Sequence, residues 1–168
     1  MAIRLNADDF WEFSLALYCR EAVANACLSL QDRRGADVNL ILAICWLSRC
    51  GYALSEAALD SALEAVAPWS DAIIKPLRQV RRRLGTEFGE VPTADKQSIK
   101  HGILSVELET ERIAQRKIAA ALADHVGALS AEAPRALAAI GLEAYLAKLV
   151  PVLDEQDFVD RETILGAL

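Results

Sequence analysis

Acidic residues at two places in the chain could hold a divalent metal. Asp32 and Asp37 are five residues apart, and aspartate-rich motifs bind divalent cations in some helical enzymes that transfer prenyl groups. Glu107 and Glu111 are one helical turn apart and would share a face. These four carboxylates would define a small metal-dependent enzyme or small-molecule binder with its site between three helices. The opposing interpretation is structural, with aspartates in a turn and glutamates on a solvated face.

Turn chemistry alone explains the aspartate segment. Gly35 can adopt the left-handed conformation that ends a helix, and Asp37 can cap the helix that follows. The chain carries no Glu-x-x-His pair, no phosphate-binding glycine loop and no nucleophile beside a base. The four cysteines form no Cys-x-x-Cys pair and are typical of reduced thiols in an apolar core. We therefore expect no cofactor, and enzymatic activity is the less favoured alternative.

A run of basic residues forms the clearest candidate surface. On a helix predicted over residues 70–84, apolar residues take one side, and no acidic residue lies between Asp71 and Glu87. Three interpretations are open: a solvated face, a docking site for the acidic segment 154–162 or an acidic partner, and contact with RNA or another polyanion. The basic residues of this face are Lys75, Arg78, Arg81, Arg82 and Arg83.

The first predicted helix, over about residues 8–19, has an apolar arc wider than one contact face needs. Its arc covers about 200° and includes Phe10, Trp11 and Leu17. This helix is either deeply buried or presents part of the arc, including Trp11, to a partner. Ser14 falls inside the arc and would need a hydrogen bond if it were buried.

Helical periodicity over the whole chain predicts an all-α, single-domain bundle of about six to seven helices. Residues 40–47 are apolar on every side, which places a buried central helix over about 38–50. A fourth helix is predicted to stop before Pro68, because proline lacks the backbone N–H that a helix interior needs. The bundle domain is expected over 1–150, followed by an acidic tail over 151–168 that is partly ordered or forms a short helix.

One long helix is predicted over about residues 94–126. Its apolar residues recur at intervals of four and three, which is heptad-like spacing and makes a homodimer through this helix an option. The residues that carry this spacing are Ile99, Ile103, Val106, Thr110 and Ile113.

Composition and charge exclude several classes of protein. The chain of 168 residues has a formal net charge of −6, which argues against a dedicated nucleic-acid binder. Its longest apolar run, 40–47, is far shorter than the roughly 20 residues that span a bilayer. The first residues, with Arg4 and Asp8, contain no apolar stretch of signal-peptide length. We therefore predict a cytoplasmic protein without a membrane partner.

Several segments resemble an uncharacterised proteobacterial all-helical family, a domain of unknown function. Residues 10–18 (FWEFSLALY) match its W-x-F-S-L-x-L-Y motif, and residues 30–42 (LQDRRGADVNLIL) match L-Q-D-x-x-G-x-D-V-N-L. Residues 107–112 (ELETER) are similar to a later E-L-x-x-E-R segment, and the resemblance covers about residues 10–149. It implies a bacterial, cytoplasmic protein and supplies no activity, cofactor or catalytic residue.

The sequence favours a non-enzymatic helical module for protein–protein interaction, an adapter or a regulator. Its candidate partner-binding residues are Lys75, Arg78, Arg81, Arg82 and Trp11. The alternative is the metal-dependent enzyme or small-molecule binder that would use Asp32, Asp37 and Glu107 or Glu111.

Overall fold

The computed structural model describes residues 5–168, and this part of the chain is helical without strands. Because α4, a π-helical turn and α5 follow one another without a break, it contains seven continuous helical segments. This confirms the predicted all-α bundle. Arg4 and the other three N-terminal residues of the predicted domain 1–150 lie outside the described residues. The helices are α1 (Ala7–Tyr18), α2 (Glu21–Arg34), α3 (Val38–Arg49), α4 (Glu56–Trp69), the π turn (Ser70–Ile74), α5 (Lys75–Thr86), α6 (Thr93–Ala123), α7 (Pro134–Leu149) and α8 (Glu155–Leu165).

The central helix is α3, as predicted. Every residue of α3 except Arg49 is buried, and α1, α2, α6 and α7 pack around it. The rings of Phe10 in α1 and Trp46 in α3 stack with their centroids 4.8 Å apart. Burying each such large side chain stabilises the fold by roughly 1.5–3 kcal/mol. Helix α3 therefore fixes the positions of the helices around it.

The turn between α2 and α3 follows the predicted chemistry. Gly35 ends α2 with φ 71° in the left-handed region, where a side chain would be strained. The Asp37 carboxylate then accepts a hydrogen bond of 2.8 Å from the backbone N–H of Asn39 and caps α3. The backbone N–H of Asp37 donates to the hydroxyl of Tyr145 at 2.7 Å, which ties α7 to this turn.

The prediction that the fourth helix stops before Pro68 is wrong. Helix α4 continues through Pro68 to Trp69 and passes into the π turn, where the N–H of Lys75 donates to the carbonyl of Ser70. Pro68 and Glu64, whose carbonyl loses its helical donor at the proline, are both exposed, so water can satisfy that carbonyl. The indole N–H of Trp69 donates to the Thr110 carbonyl at 3.0 Å and holds this junction against α6.

Helix α6 is the long helix, and it covers 31 residues close to the predicted range. Thr110 in its heptad-like stripe is buried, whereas Ile99, Val106 and Ile113 are 49%, 46% and 37% exposed. A homodimer through this stripe stays a prediction.

Helix α7 is continuous through Gly141. A Cβ atom at Gly141 would lie only 2.7 Å from Cγ2 of Ile44, so the glycine permits close packing of α7 on α3. The segment predicted as an acidic tail contains α8, whose Ile164 and Leu165 belong to the same apolar core. No helix within residues 5–168 is long and apolar enough to cross a membrane.

Candidate binding site

Three arginines of α5, Arg78, Arg81 and Arg82, pair with carboxylates of the neighbouring helices α2 and α6. Nε of Arg81 donates to both carboxylate oxygens of Glu107 in α6, at 2.8 and 3.0 Å. Arg78 lies between two acceptors, because one of its terminal nitrogens donates to Gln31 of α2 and the other to Glu111 of α6. These contacts join α5 to both α2 and α6.

The interpretation of Glu107 as part of a solvated face is wrong. Glu107 is only 5% exposed, and the side chain of Glu111 is 17% exposed. Taking carboxylates out of water costs free energy unless a paired cation and hydrogen bonds offset the loss. Arg81 and Arg78 supply both, and they come from a helix that is close in space but distant along the chain. The predicted shared face of the two glutamates is present, but it faces α5.

Glu111 also begins a chain of buried amides. Nδ2 of Asn39 in α3 donates to Oε2 of Glu111, and Nε2 of Gln115 donates to Oδ1 of Asn39 at 3.1 Å. Both amide side chains are buried, at 3% and 2% exposure. Oε1 of Gln115 has no hydrogen-bond partner among the described residues. The amide chain therefore ends in a buried acceptor whose bonding capacity is unused.

A second buried polar atom without a partner lies on α1. Ser14 is 3% exposed, and its Oγ finds no hydrogen-bond partner within residues 5–168. A buried hydroxyl without a hydrogen bond typically costs about 1–3 kcal/mol. Most buried polar side chains in folded proteins have a partner, so two open groups beside one cavity need an explanation.

Ser14 and Gln115 both line one cavity of about 220 Å³ between α1, α2, α3, α5 and α6, which we name the Gln115 pocket. Asn39, Glu107 and Glu111 also line it, and so do apolar side chains of the surrounding helices. Four of these apolar residues are among the exposed large hydrophobics of the protein: Leu15, Leu28, Leu104 and Leu108.

Paired charges leave the walls of the Gln115 pocket close to neutral. Glu107 and Glu111 are matched by Arg81 and Arg78. Tyr18 also lines the pocket, and burial raises the pKa of its hydroxyl, with further contributions from nearby Cys27 and Glu111. Arg78 and Arg81 oppose that rise without reversing it. Tyr18 therefore stays protonated at neutral pH. Arg82 also lines the pocket and pairs with Asp32, which lies outside it.

The structure brings four of the five predicted partner-binding residues to this pocket. Trp11, Arg78, Arg81 and Arg82 line it. Lys75 does not, and lines a larger cleft of about 770 Å³ with Arg78 and Arg82. Lys75 and Arg82 are exposed and pair with Asp71 and Asp32, at 2.5 and 2.8 Å. The cations of α5 thus all have acidic partners within the chain: Lys75 and Arg83 pair with residues four positions away, whereas the partners of Arg78, Arg81 and Arg82 are distant in sequence and were not predictable from the local pattern. The residues of α5 paired in this way are Lys75, Arg78, Arg81, Arg82 and Arg83.

The four carboxylates of the predicted metal site do not form one cluster. Asp37 caps α3, and Asp32 pairs with Arg82 at the surface. Glu107 and Glu111 each pair with an arginine, as described above. Within the described residues, no group of three or more histidine, cysteine, aspartate or glutamate side chains is placed to hold a metal ion.

The acidic segment that could have docked on α5 binds α2 instead. Arg33 donates to Asp157 and Asp160 at 2.9 Å, and Arg34 donates to both oxygens of Asp157 at 3.0 Å. Asp154 accepts from both arginines and caps α8. We name this group the α2–α8 ion cluster; it comprises Arg33, Arg34, Asp154, Asp157 and Asp160.

The charges of the α2–α8 ion cluster strongly perturb Asp157. Burial alone would raise the pKa of this carboxyl, since its side chain is fully buried. Hydrogen bonds from Arg34 and from the backbone of Asp154, together with the charges of both arginines, outweigh burial and lower the pKa to about 2. Asp157 is therefore ionised at neutral pH.

Sequence reasoning identified part of the pocket and missed the rest. The position of Ser14 inside an apolar arc was a usable signal, and it is buried. Gln115 carries a similar signal, since it lies one turn after Glu111 and three residues before the buried Ile118. Leu104 and Leu108 gave none, since an exposed leucine cannot be distinguished from a core leucine by type.

The protein is thus a small all-helical protein with a candidate binding site, a pocket lined by amides, ion pairs and leucines. Comparison with protein families matches residues 9–118 to a family described as a protein of unknown function, DUF2390. The chain belongs to this family, which confirms the resemblance to an uncharacterised helical family. Neither curated proteins nor solved structures give a match to the chain.

Proposed function

We propose that this protein is a non-enzymatic interaction module and that a segment of a partner protein docks over the Gln115 pocket. The observation that carries the proposal is the set of four exposed leucines in the pocket lining: Leu15, Leu28, Leu104 and Leu108. Exposed leucines are common when scattered, but exposed apolar side chains that gather at one concave site mark an interaction surface.

The dimensions of the pocket suit an anchored partner. A cavity of about 220 Å³ is small for a typical ligand site, and an anchoring side chain commonly fills a pocket at the centre of an interface. Trp11 adds aromatic surface to its lining, and the guanidinium of Arg112 lies 5.8 Å from the centre of the Trp11 ring. Aromatic and arginine side chains are enriched at interaction surfaces.

Apolar contact supplies the affinity in this proposal. Arg78 and Arg81 are neutralised by Glu111 and Glu107, so charge attraction contributes little to the binding of an acidic partner. Covering the four leucines removes apolar surface from water, and each contributes up to roughly 1–2 kcal/mol. The α5 arginines then act chiefly by shaping the pocket wall.

The alternative of a small-molecule binder retains one supporting feature, the open hydrogen-bonding groups of Ser14 and Gln115. The set of residues at that small-molecule site differs from the predicted one, because Asp32 and Asp37 line the larger cleft and not the Gln115 pocket. A small molecule would use Glu107 and Glu111 through their arginine pairs.

Site-specific photocrosslinking in native cells tests the proposal. A photoreactive phenylalanine replaces Leu104 or Leu108 in the full chain, and replaces Ile140 or Val159 as matched controls. The controls are exposed apolar residues of α7 and α8 that do not line the pocket. We expect a discrete crosslinked protein from the two pocket positions only.

Substitution of Leu15 by aspartate should abolish that crosslink, while the circular dichroism spectrum and melting temperature stay nearly unchanged. The same crosslinked bands from all four positions, or none from the pocket positions, would overturn the proposed function.

A further inference from the structure

The chemistry of the partner's anchoring side chain can be read from the pocket, and this step rests on the proposed function. The direction of the buried amide chain is fixed at one end, because an ionised carboxylate only accepts hydrogen bonds. Glu111 therefore requires the N–H₂ group of Asn39 to face it, and Asn39 Oδ1 then faces the N–H₂ group of Gln115. Oε1 of Gln115 is left as the open end.

An open amide oxygen needs a hydrogen-bond donor. Flipping Gln115 would place its oxygen against the oxygen of Asn39, and flipping Asn39 would place its oxygen against Glu111. Both flips bring acceptors together, so the amide chain holds the acceptor in place. The Ser14 hydroxyl can either donate or accept and sets no opposing requirement.

The remaining walls exclude a charged group. Glu107 and Glu111 are matched by Arg81 and Arg78, and Arg82 is matched by Asp32 outside the pocket. An ammonium or carboxylate that entered the pocket would therefore lose hydration without gaining a free counterion. Trp11, Leu42, Leu104 and Leu108 supply apolar surface suited to a flat or bulky apolar body.

We propose that the Gln115 pocket receives an uncharged aromatic side chain with a hydrogen-bond donor at its tip, the indole of a tryptophan or the phenol of a tyrosine. The ring lies among the apolar walls, and the donor bonds Oε1 of Gln115 once the side chains that bury this atom in the free protein move aside. Tryptophan and tyrosine combine a large apolar body with one polar group and are the side chains that most often anchor interfaces.

Matched aromatic probes test this inference on the full-length protein. 3-Methylindole reproduces the tryptophan side chain, and 1,3-dimethylindole is the same molecule without the N–H donor. p-Cresol and 4-methylanisole form the corresponding pair for tyrosine. Binding is followed by ¹H–¹⁵N NMR at the side-chain amide of Gln115 and the indole of Trp11.

We expect the donor-bearing member of at least one pair to bind at least about tenfold more tightly than its methylated partner. The Gln115→Met variant should remove this preference, whereas Gln79→Met, in the larger cleft, should retain it. If Gln115→Met does not fold, the ratio of affinities within each probe pair on the unmodified protein still tests whether a donor is preferred.

The two proposals fail in different ways. Equal affinity for methylated and unmethylated probes, or no binding of either, would overturn the donor-bearing anchor even if crosslinking at Leu104 and Leu108 succeeds. A strong donor preference without a pocket-specific crosslink would overturn the partner protein, and would point to a free aromatic molecule as the ligand.

Discussion

Two partly buried polar networks in this protein use similar residues and differ in whether all their polar atoms are paired. In the α2–α8 ion cluster, each of the three aspartates accepts hydrogen bonds from within the chain. At the Gln115 pocket, a comparable set of arginines, carboxylates and amides ends with Gln115 Oε1 open, and Ser14 Oγ, a second buried atom of the lining, has no partner among the described residues. A closed network stabilises the fold, whereas an open one beside a cavity keeps hydrogen-bonding capacity for another molecule.

The largest expected effect comes from breaking the closed network. Asp157→Asn removes the charge that Arg33 and Arg34 share and weakens the cap of α8. We expect the free energy of unfolding, measured by urea denaturation, to fall by about 3 kcal/mol. Glu143→Gln is the control, since Glu143 is exposed and its contact with Arg161 is 3.4 Å. A loss below about 1 kcal/mol in Asp157→Asn would contradict the stabilising role of this cluster.

The paired part of the pocket network should also be sensitive to substitution. Arg81→Met leaves the buried Glu107 carboxylate without its cation, and we expect a loss of about 2 kcal/mol. Arg82→Met removes a partner from Asp32 at the surface and should cost less than about 0.5 kcal/mol. Chemical denaturation of both variants measures the difference, and equal losses would show that burial of Glu107 is not what distinguishes the two pairs.

The α2–α8 ion cluster should make the free energy of unfolding depend on pH in the acid range. The pKa of Asp157 is about 2 in the folded protein against an ordinary value of 3.8. A lowered folded pKa stabilises the fold above the unfolded value, and this contribution is lost as the pH falls through the folded value. We expect the unfolding free energy of the unmodified protein to drop by up to about 2 kcal/mol between pH 5 and pH 2 from this group.

The Asp157→Asn variant has no titratable group at this position, so its unfolding free energy should fall less between pH 5 and pH 2. Parallel slopes for the two proteins would refute the assignment of this acid sensitivity to Asp157.

The smallest expected effect has the opposite sign. Ser14→Ala removes a buried hydroxyl that has no partner among the described residues, so we expect stability to stay unchanged or to rise by up to about 1 kcal/mol. Ser48→Ala is the matched control, because the equally buried Ser48 donates to the Ile44 carbonyl at 2.7 Å. The control should lose about 0.5–1 kcal/mol. If Ser14→Ala is the more destabilised variant, the hydroxyl of Ser14 is bonded and is not one of the open groups of the pocket.

Short-range features of the fold were predictable. Gly35 and Asp37 end and begin helices by local backbone chemistry, and the apolar stretch 40–47 marks a helix that must be surrounded. Pro68 misled the prediction because the cost of a proline inside a helix depends on whether water can reach the freed carbonyl, here that of Glu64. Exposure of that carbonyl is a property of the packed bundle.

The candidate site was predictable only in part. The spacing of Glu107 and Glu111 indicates a common face, but it cannot tell which cations approach that face. Arg78 and Arg81 are 33 and 26 residues away along the chain from the carboxylates that they neutralise. The same limit explains why the acidic residues near the C-terminus were assigned to α5 as one option when they bind Arg33 and Arg34.

By itself, the sequence determined the all-helical class, the central position of α3 and the residue types that could take part in binding, because these depend on periodicity and local backbone chemistry. Tertiary structure alone decided which charges are neutralised and which polar atoms remain open. Those properties depend on distances between helices that meet only when the bundle closes, and no spacing along the chain encodes them directly.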